Sequence, residues 1–219
     1  MSINPPKLAL RNLAEENNGS DYQKLLGNKA WSRLHPDIQQ RFGSKVHQAV
    51  TYQGVMKVVY SSFLGKAFAQ VCRLIGTPLA IHSGVDVPIM VKVYPNETLK
   101  GMTWDRFYAF PNKPVNRVTS TKVIQNKQGE NKASLVELVG CGFGMKLDVT
   151  EVKGALRFTS TEFFLEVAGK RFSIPNWLSP GKTIVEQRAL SDGRFEFKLN
   201  VEHLLLGKVF KQVGVFESI

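Results

Sequence analysis

Hydrophobic and polar positions alternate with a period of two through much of the chain after residue 84. The alternation is clearest over residues 87–94, 145–150 and 194–201, and turn-forming residues separate these runs. Such a pattern indicates antiparallel strands with one buried face, joined by short hairpins. We therefore predict a meander of about eight strands over residues 85–217. A sheet with that many strands twists and tends to curl or to close into a barrel.

The chain before residue 84 has mixed periodicity. Two short helices are predicted near residues 20–27 and 36–43, where Ser20 and Pro36 suit the first positions and glycines follow the last. Residues 46–60 are predicted to form a strand, with a bend or bulge at Gly54. Residues 62–75 have apolar positions at helical spacing, which predicts one amphipathic helix with Phe63 and Phe68 on its inward face.

These elements predict an α+β fold. We expect a strongly curved antiparallel β-sheet or half-open barrel, with one long amphipathic helix packed across it and short N-terminal helices. The helix would cover the open face of the sheet, act as a lid over a cavity or rest on a bilayer surface. Residues 1–19 are rich in Asn and Pro and are predicted to form a flexible arm, followed by a single domain over residues 20–219.

The charge of the chain changes the expected partners. Of the 219 residues, 43% are hydrophobic and 21% are charged, which is typical of a globular protein. The net charge is +11, of which +9 falls on residues 1–130 and +2 on residues 131–219. This excess favours anionic partners such as lipid surfaces or acidic small molecules, although it also fits a solvated basic surface that maintains solubility. Because the basic residues form no run of five, we predict no nucleic-acid partner.

Compartment and cofactors follow from patterns that the chain lacks. It has no apolar run of about 18 residues and no signal-peptide core, so we predict a cytoplasmic protein. Cys72 and Cys141 form no CxxC pair. The stretches GCGFG (140–144) and PGKT (180–183) lack the spacing of nucleotide-binding loops, and the histidines lack metal-ligand spacing. We therefore predict no metal and no cofactor and name no catalytic residue, and whether the protein is an enzyme stays open.

The stretch TWDRFYAF (103–110) provides the candidate ligand-binding residues. On a strand, Trp104, Arg106 and Tyr108 share one face, which combines two aromatic rings with a guanidinium. Such a face suits an amphipathic ligand, or else an arginine stacked between rings on an ordinary solvent-facing surface. The opposite face would place Phe107 against the body of the domain and Asp105 near a strand edge, within reach of water. The alternation does not decide which face points inward, because a slip of one residue exchanges them.

An ordered set of segments resembles a bacterial domain family of unknown function. The resemblance covers roughly residues 21–217 and is carried by YQKLLG, DVPIMVKVYP, WDRFYAF, LVELVGCGFGMKLDVTEVKGALRF, FSIPNWLSP and DGRFEFKLNVEHLLLGKVFKQVGVFE. The family often occurs fused to the C-terminal side of saccharopine-dehydrogenase-like Rossmann modules and also occurs alone. The resemblance implies a Trp-x-Arg-x-Phe type of strand at Trp104 and Arg106. Tyr108 holds the third position of that strand, with Phe107 beside it. The resemblance implies no established activity and, without a Rossmann module in these residues, no nicotinamide cofactor.

The preferred function is non-catalytic binding of an amphipathic, anionic small molecule or lipid within the curved sheet. A curled sheet leaves an apolar concavity, and polar groups at its rim would orient a ligand. One alternative is an enzyme of unknown reaction that uses the same concavity. Another is a module that docks on a separate Rossmann-type oxidoreductase. Peripheral membrane contact is expected as a further interaction if the helix of residues 62–75 rests on a bilayer.

Overall fold

A computed structural model describes residues 21–43, 49–63, 65–66, 80–125 and 133–219, which form short helices and eleven strands. The N-terminal helices are α1 (Asp21–Leu26), α2 (Asn28–Trp31) and α3 (Pro36–Phe42). The strands are β1 (Val50–Ser61), β2 (Gly84–Asn96), β3 (Gly101–Tyr108), β4 (Asn116–Gln125), β5 (Ser134–Gly140), β6 (Phe143–Val152), β7 (Ala155–Val167), β8 (Lys170–Ile174), β9 (Lys182–Ala189), β10 (Phe195–His203) and β11 (Gly207–Ser218).

Ten of the strands close into an antiparallel barrel. The order around it is β6-β5-β4-β3-β2-β1-β11-β10-β9-β7, and β7 pairs with β6 to complete the ring. Strand β9 pairs with the first part of β7, Leu156–Thr159, while β8 pairs with the last part, Phe163–Val167, and so extends the wall outside the ring. Closure leaves each strand of the ring with a partner on both sides, which removes the unpaired N–H and C=O groups of a sheet edge.

The predicted strongly curved sheet or half-open barrel, with one long helix packed across it, is therefore wrong. Alternation within each strand is a local signal, and it cannot show that the first strand, β1, pairs with the last strand, β11. The described helices are short, and none of them is long and apolar enough to cross a bilayer. Of the helix predicted over residues 62–75, residues 64 and 67–75 lie outside the described residues. Phe63, predicted to face inward, is 85% exposed.

The N-terminal helices close one end of the barrel, which we call the helix end. Tyr22, Leu25, Ile38 and Phe42 are buried among inward side chains of β5, β6 and β7. The ring of Tyr22 meets the ring of Phe42 edge to face at 5.1 Å between centroids. The opposite end, the mouth end, carries the β5–β6 turn and the β7–β8 and β10–β11 hairpins. The predicted arm, residues 1–19, lies outside the described residues.

Gly54 permits a close approach of two strands and lies within an unbroken part of the β1–β11 register. A Cβ atom at this position would lie 2.4 Å from the carbonyl oxygen of Val215 and 2.6 Å from the ring of Phe216. The register of β1 against β11 instead shifts between Met56 and Val58. The predicted bulge is thus not at Gly54, and the glycine is needed because the Phe216 ring lies across the backbone of β1.

Candidate functional site

Strand β3 directs Trp104, Arg106 and Tyr108 into the barrel. All three line internal cavities, and Tyr108 is almost completely buried. The Tyr108 hydroxyl donates a hydrogen bond of 2.9 Å to the Oε1 atom of Gln212 on β11, on the other side of the interior. The three predicted ligand-binding residues therefore share the inner surface of the wall, and their contact with a ligand stays a prediction.

The opposite face of β3 forms the outer wall. Asp105 accepts hydrogen bonds from Arg117 Nε at 2.8 Å, Arg117 Nη2 at 2.7 Å and Thr119 Oγ1 at 2.8 Å. These neighbours on β4 bury Asp105, so the predicted position at a water-accessible strand edge is wrong. The predicted packing of Phe107 on the body of the domain is also wrong, because its ring lies outside, with the Arg117 guanidinium 5.7 Å from its centroid.

The ion pair between Asp105 and Arg117 allows a test of how much the outer wall contributes to stability. Burial would raise the pKa of Asp105, but the hydrogen bonds from Arg117 and Thr119 and the charge of Arg117 outweigh it, so the pKa lies below its usual value. We expect Asp105→Asn to lower the free energy of unfolding by about 1–2 kcal/mol at neutral pH. The cost is moderate because the exposed Arg117 can return to water.

The pH dependence of the same variant has a definite sign. A carboxylate with a depressed folded-state pKa stabilises the protein above its unfolded pKa and loses this contribution as the pH falls through the folded value. The difference between wild type and Asp105→Asn should therefore shrink in acid, as measured by urea unfolding across the acid range. Asp86→Asn is the control, since Asp86 forms an exposed pair with Lys57 and should cost less than about 0.5 kcal/mol. Equal effects of the two variants would contradict the buried role of Asp105.

An interior polar cluster of Arg106, Ser120, Lys122 and Glu137 lies next to the predicted residues. Arg106 Nη1 donates to Ser120 Oγ at 3.2 Å, and Ser120 Oγ donates to Glu137 Oε1 at 2.6 Å. Lys122 Nζ donates to the same carboxylate oxygen at 3.1 Å and lies 4.4 Å from the ring centroid of Trp104. Antiparallel pairing of β4 with β5 produces this contact by placing Lys122 directly opposite Glu137.

The interior polar cluster has an excess of positive charge. Burial lowers the pKa of Lys122, and the nearby charge of Arg106 lowers it further, although Glu137 partly opposes both. Burial would raise the pKa of Glu137, but the charges of Lys122 and Arg106 outweigh it and keep the carboxyl ionised. Two basic side chains thus face one carboxylate in a region shielded from water.

Arg41 of α3 adds a third basic side chain at the helix end of the interior. Its guanidinium carbon lies 3.3 Å from the ring centroid of Phe195 and 5.1 Å from that of Tyr52. Burial lowers the pKa of Arg41 to about 10, so the side chain stays charged at neutral pH. Its Nε atom is buried and has no hydrogen-bond partner among the described residues. A chamber of about 80 Å³ separates Arg41 from the interior polar cluster.

A larger cavity of about 420 Å³ extends from the interior polar cluster towards the mouth end. Arg106, Glu137 and Gln212 contribute to its inner part. Most of its wall is apolar and includes Val118, Met145, Phe163, Leu165, Phe197 and Leu199. A long apolar space that ends at a positively charged cluster can hold a molecule with an apolar body and an acidic head.

Sequence reasoning missed Ser120, Lys122, Glu137 and Arg41. A signal existed in β5, where Glu137 interrupts an otherwise apolar segment, SLVELVG. It was ambiguous because Leu135 and Val136 are both buried, so alternation does not distinguish the two faces of this strand. The pairing of Lys122 with Glu137 depends on the register between β4 and β5, which neither strand specifies alone.

Comparison with known proteins places the chain in a family. The family model described as Domain of unknown function (DUF4166) matches residues 34–216. An uncharacterised protein of Bacillus subtilis (strain 168), YndH, is 24% identical over 209 residues, which cover 91% of this chain and 97% of that protein. These matches confirm the predicted bacterial domain of unknown function, while the association with saccharopine-dehydrogenase-like modules stays an expectation. The chain belongs to the DUF4166 family.

Proposed function

We propose that the barrel binds an amphipathic, anionic small molecule or lipid in its interior. The observation that carries this proposal is the position of the interior polar cluster at the inner part of the 420 Å³ cavity. The acidic head group would contact Arg106, and the apolar body would extend along Phe163, Leu165 and Phe197 towards the mouth end. Trp104 and Tyr108 would form the wall beside the head group.

The charge of the cluster supports an anionic head group. A buried charge without a partner is costly, and the single carboxylate of Glu137 faces both Lys122 and Arg106. A carboxylate or phosphate next to Arg106 would supply the second negative charge. The guanidinium presents a planar fork of donors that suits either group, and one of its nitrogens already donates to Ser120.

The size of the cavity supports a ligand of small-molecule or single-chain lipid size. Small-molecule sites commonly have volumes of about 300–1,000 Å³, with mainly apolar walls and a few polar groups that set the orientation. The cavity has a comparable volume and the same distribution of polar and apolar groups. Transfer of an apolar chain into this space would gain about 0.8 kcal/mol for each buried methylene group.

The test is the replacement of Arg106 by leucine, which keeps bulk and removes the charge. Dodecanoate should bind Arg106→Leu roughly ten- to hundredfold more weakly than it binds the wild type, the scale of one charged hydrogen bond. Dodecanol has the same chain without the acid and should bind both proteins alike. Isothermal titration calorimetry at two salt concentrations measures these affinities, and thermal unfolding of the free proteins measures stability.

Arg194→Leu is the matched control. Arg194 lies on the exposed β9–β10 turn, paired with Asp192, so its loss changes the net charge by the same amount without altering the interior. We expect it to bind dodecanoate like the wild type. If dodecanoate binds wild type and Arg106→Leu equally well and only the melting temperature falls, Arg106 is structural and the proposed head-group contact is wrong. Native mass spectrometry of the purified protein would show whether an acidic ligand accompanies it from cells.

A further inference from the structure

The mouth end of the barrel exposes a set of large apolar side chains, which we call the mouth patch. Leu204, Leu205 and Leu206 form the tip of the β10–β11 hairpin, and Trp177 and Leu178 lie in the loop after β8. Phe63 follows β1. Each is more than half exposed, with values of 88% for Leu204, 85% for Phe63 and 67% for Trp177.

Hydrogen bonds to backbone groups hold the parts of the mouth patch together. The buried His203 accepts hydrogen bonds through Nδ1 from the backbone N–H groups of Leu205 and Leu206, at 3.2 and 3.3 Å. Its Nε2 atom lies 3.2 Å from the carbonyl oxygen of Trp177. The backbone N–H of Ser62 donates to the carbonyl oxygen of Val209 at 2.9 Å, which places Phe63 beside the start of β11. The apolar tips therefore project from an internally bonded framework.

The two ends of the barrel differ in exposed apolar surface. Among the described residues of the helix end, the large exposed hydrophobic side chains are Leu99 and Ile219. A concentration of leucine, tryptophan and phenylalanine at one end is unusual for a surface that faces only water, and such patches mark interaction sites. Leu178 also lines the 420 Å³ cavity, together with Ser179 and Pro180, so the mouth patch is continuous with the wall of the proposed ligand site.

Basic residues lie around the mouth patch. Lys66, Lys182 and Lys208 are exposed at this end. The exposed Glu202 of β10 lies between two of them. In the strand register it is opposite Lys182 of β9 and opposite Lys208 of β11. These residues leave a local excess of positive charge, in a chain whose net charge is +11. Apolar side chains that project among lysines suit the boundary between acyl chains and anionic head groups.

We infer that the mouth end docks on the surface of an anionic lipid bilayer, with Leu204, Leu205 and Trp177 inserted at the head-group boundary and the lysines against acidic head groups. The separate projecting tips favour a fluid surface over a protein partner, which would need a complementary rigid shape. Docking in this orientation would bring the cavity wall at Leu178 to the membrane, so that an acidic lipid could pass between bilayer and barrel. The docking itself does not depend on the proposed ligand site.

The double variant Leu204→Ser/Leu205→Ser tests the inference. Co-sedimentation would be measured with vesicles of phosphatidylcholine alone and with vesicles of equal parts phosphatidylcholine and phosphatidylglycerol. The wild type should prefer the anionic vesicles. The affinity of the double variant for these vesicles should be lower by a factor of at least about ten. Brominated phosphatidylcholine in the mixed vesicles should quench tryptophan fluorescence. Trp177→Phe should abolish the quenching, because Trp104 lies inside the barrel and Trp31 lies at the helix end, away from the docked surface.

The matched control is Leu99→Ser/Ile219→Ser, which removes two exposed apolar residues from the helix end and should bind vesicles like the wild type. Arg106→Leu should keep vesicle binding, and Leu204→Ser/Leu205→Ser should keep dodecanoate binding, so failure of one proposal is distinguishable from failure of the other. Equal vesicle binding by the two double variants would overturn the inference. A second result would also overturn it: the wild type does not bind vesicles and instead forms a dimer in analytical ultracentrifugation, which Leu204→Ser/Leu205→Ser dissociates. The mouth patch would then contact a second copy of the chain.

Discussion

Replacement of Glu137 by leucine should lower the free energy of unfolding by about 3–5 kcal/mol at neutral pH. Glu137 lies at the centre of the interior polar cluster, where it accepts hydrogen bonds from Ser120 and Lys122. Its loss leaves the buried Lys122 and the half-buried Arg106 without a compensating negative charge. The penalty for an unpaired buried charge exceeds the strength of a surface ion pair. Urea unfolding followed by circular dichroism measures the change.

The response of Glu137→Leu to pH identifies the cause of the loss. Burial already lowers the pKa of Lys122 in the wild type, and without Glu137 this pKa should fall further. Between the folded and unfolded pKa values of Lys122 the unfolded chain binds more protons, so stability rises with pH in that window. Glu137→Leu should therefore recover part of its stability in alkaline solution. In acid, its difference from the wild type should shrink, because the wild type loses the contribution of Glu137 as that carboxylate protonates.

Two companion variants separate charge from packing. Glu137→Leu combined with Lys122→Met removes both members of the pair and should regain much of the lost stability, since an apolar pair can replace a buried ion pair. Glu217→Leu removes an exposed carboxylate at the end of β11 and should change stability by less than about 0.5 kcal/mol. If Glu137→Leu proves as mild as Glu217→Leu, the cluster is accessible to water and the electrostatic argument for an anionic ligand fails.

Phe158→Ala should also lower the free energy of unfolding by about 3–5 kcal/mol, because it opens a void beneath the N-terminal helices. The Phe158 ring is almost completely buried, with its centroid 6.1 Å from that of Tyr22 and 5.9 Å from that of Phe42. Since these contacts join β7 to α1 and α3, the helices should detach from the end of the barrel before the barrel itself unfolds. Amide hydrogen exchange should show reduced protection in α1 and α3 at denaturant concentrations that leave the strands protected.

Phe172→Ala is the control for this prediction. Phe172 lies on β8, outside the closed ring, and is more than half exposed, so its truncation should cost less than about 0.5 kcal/mol. A small effect of Phe158→Ala, close to that of Phe172→Ala, would show that the helices do not depend on this contact to close the barrel.

The sequence alone was sufficient for features that depend on neighbouring residues. Pro36 at the first position of α3 and the buried Ile38 and Phe42 follow from short-range helix rules. The common face of Trp104, Arg106 and Tyr108 follows from the period of two along a strand, so the structure places these side chains together. The ordered family segments likewise indicate a domain of unknown function from the sequence alone.

The tertiary structure decided everything that depends on contacts between distant strands. Closure of the barrel requires β1 to pair with β11 and β7 with β9, and alternation within one strand contains no information about its partner. Barrel closure made the face with Arg106 the inner one. Pairing of β4 with β5 put Lys122 opposite Glu137, and pairing of β3 with β4 buried Asp105 beneath Arg117. The physical reason is that register and closure are set by the summed burial and hydrogen bonding of the complete ring, which no local segment possesses.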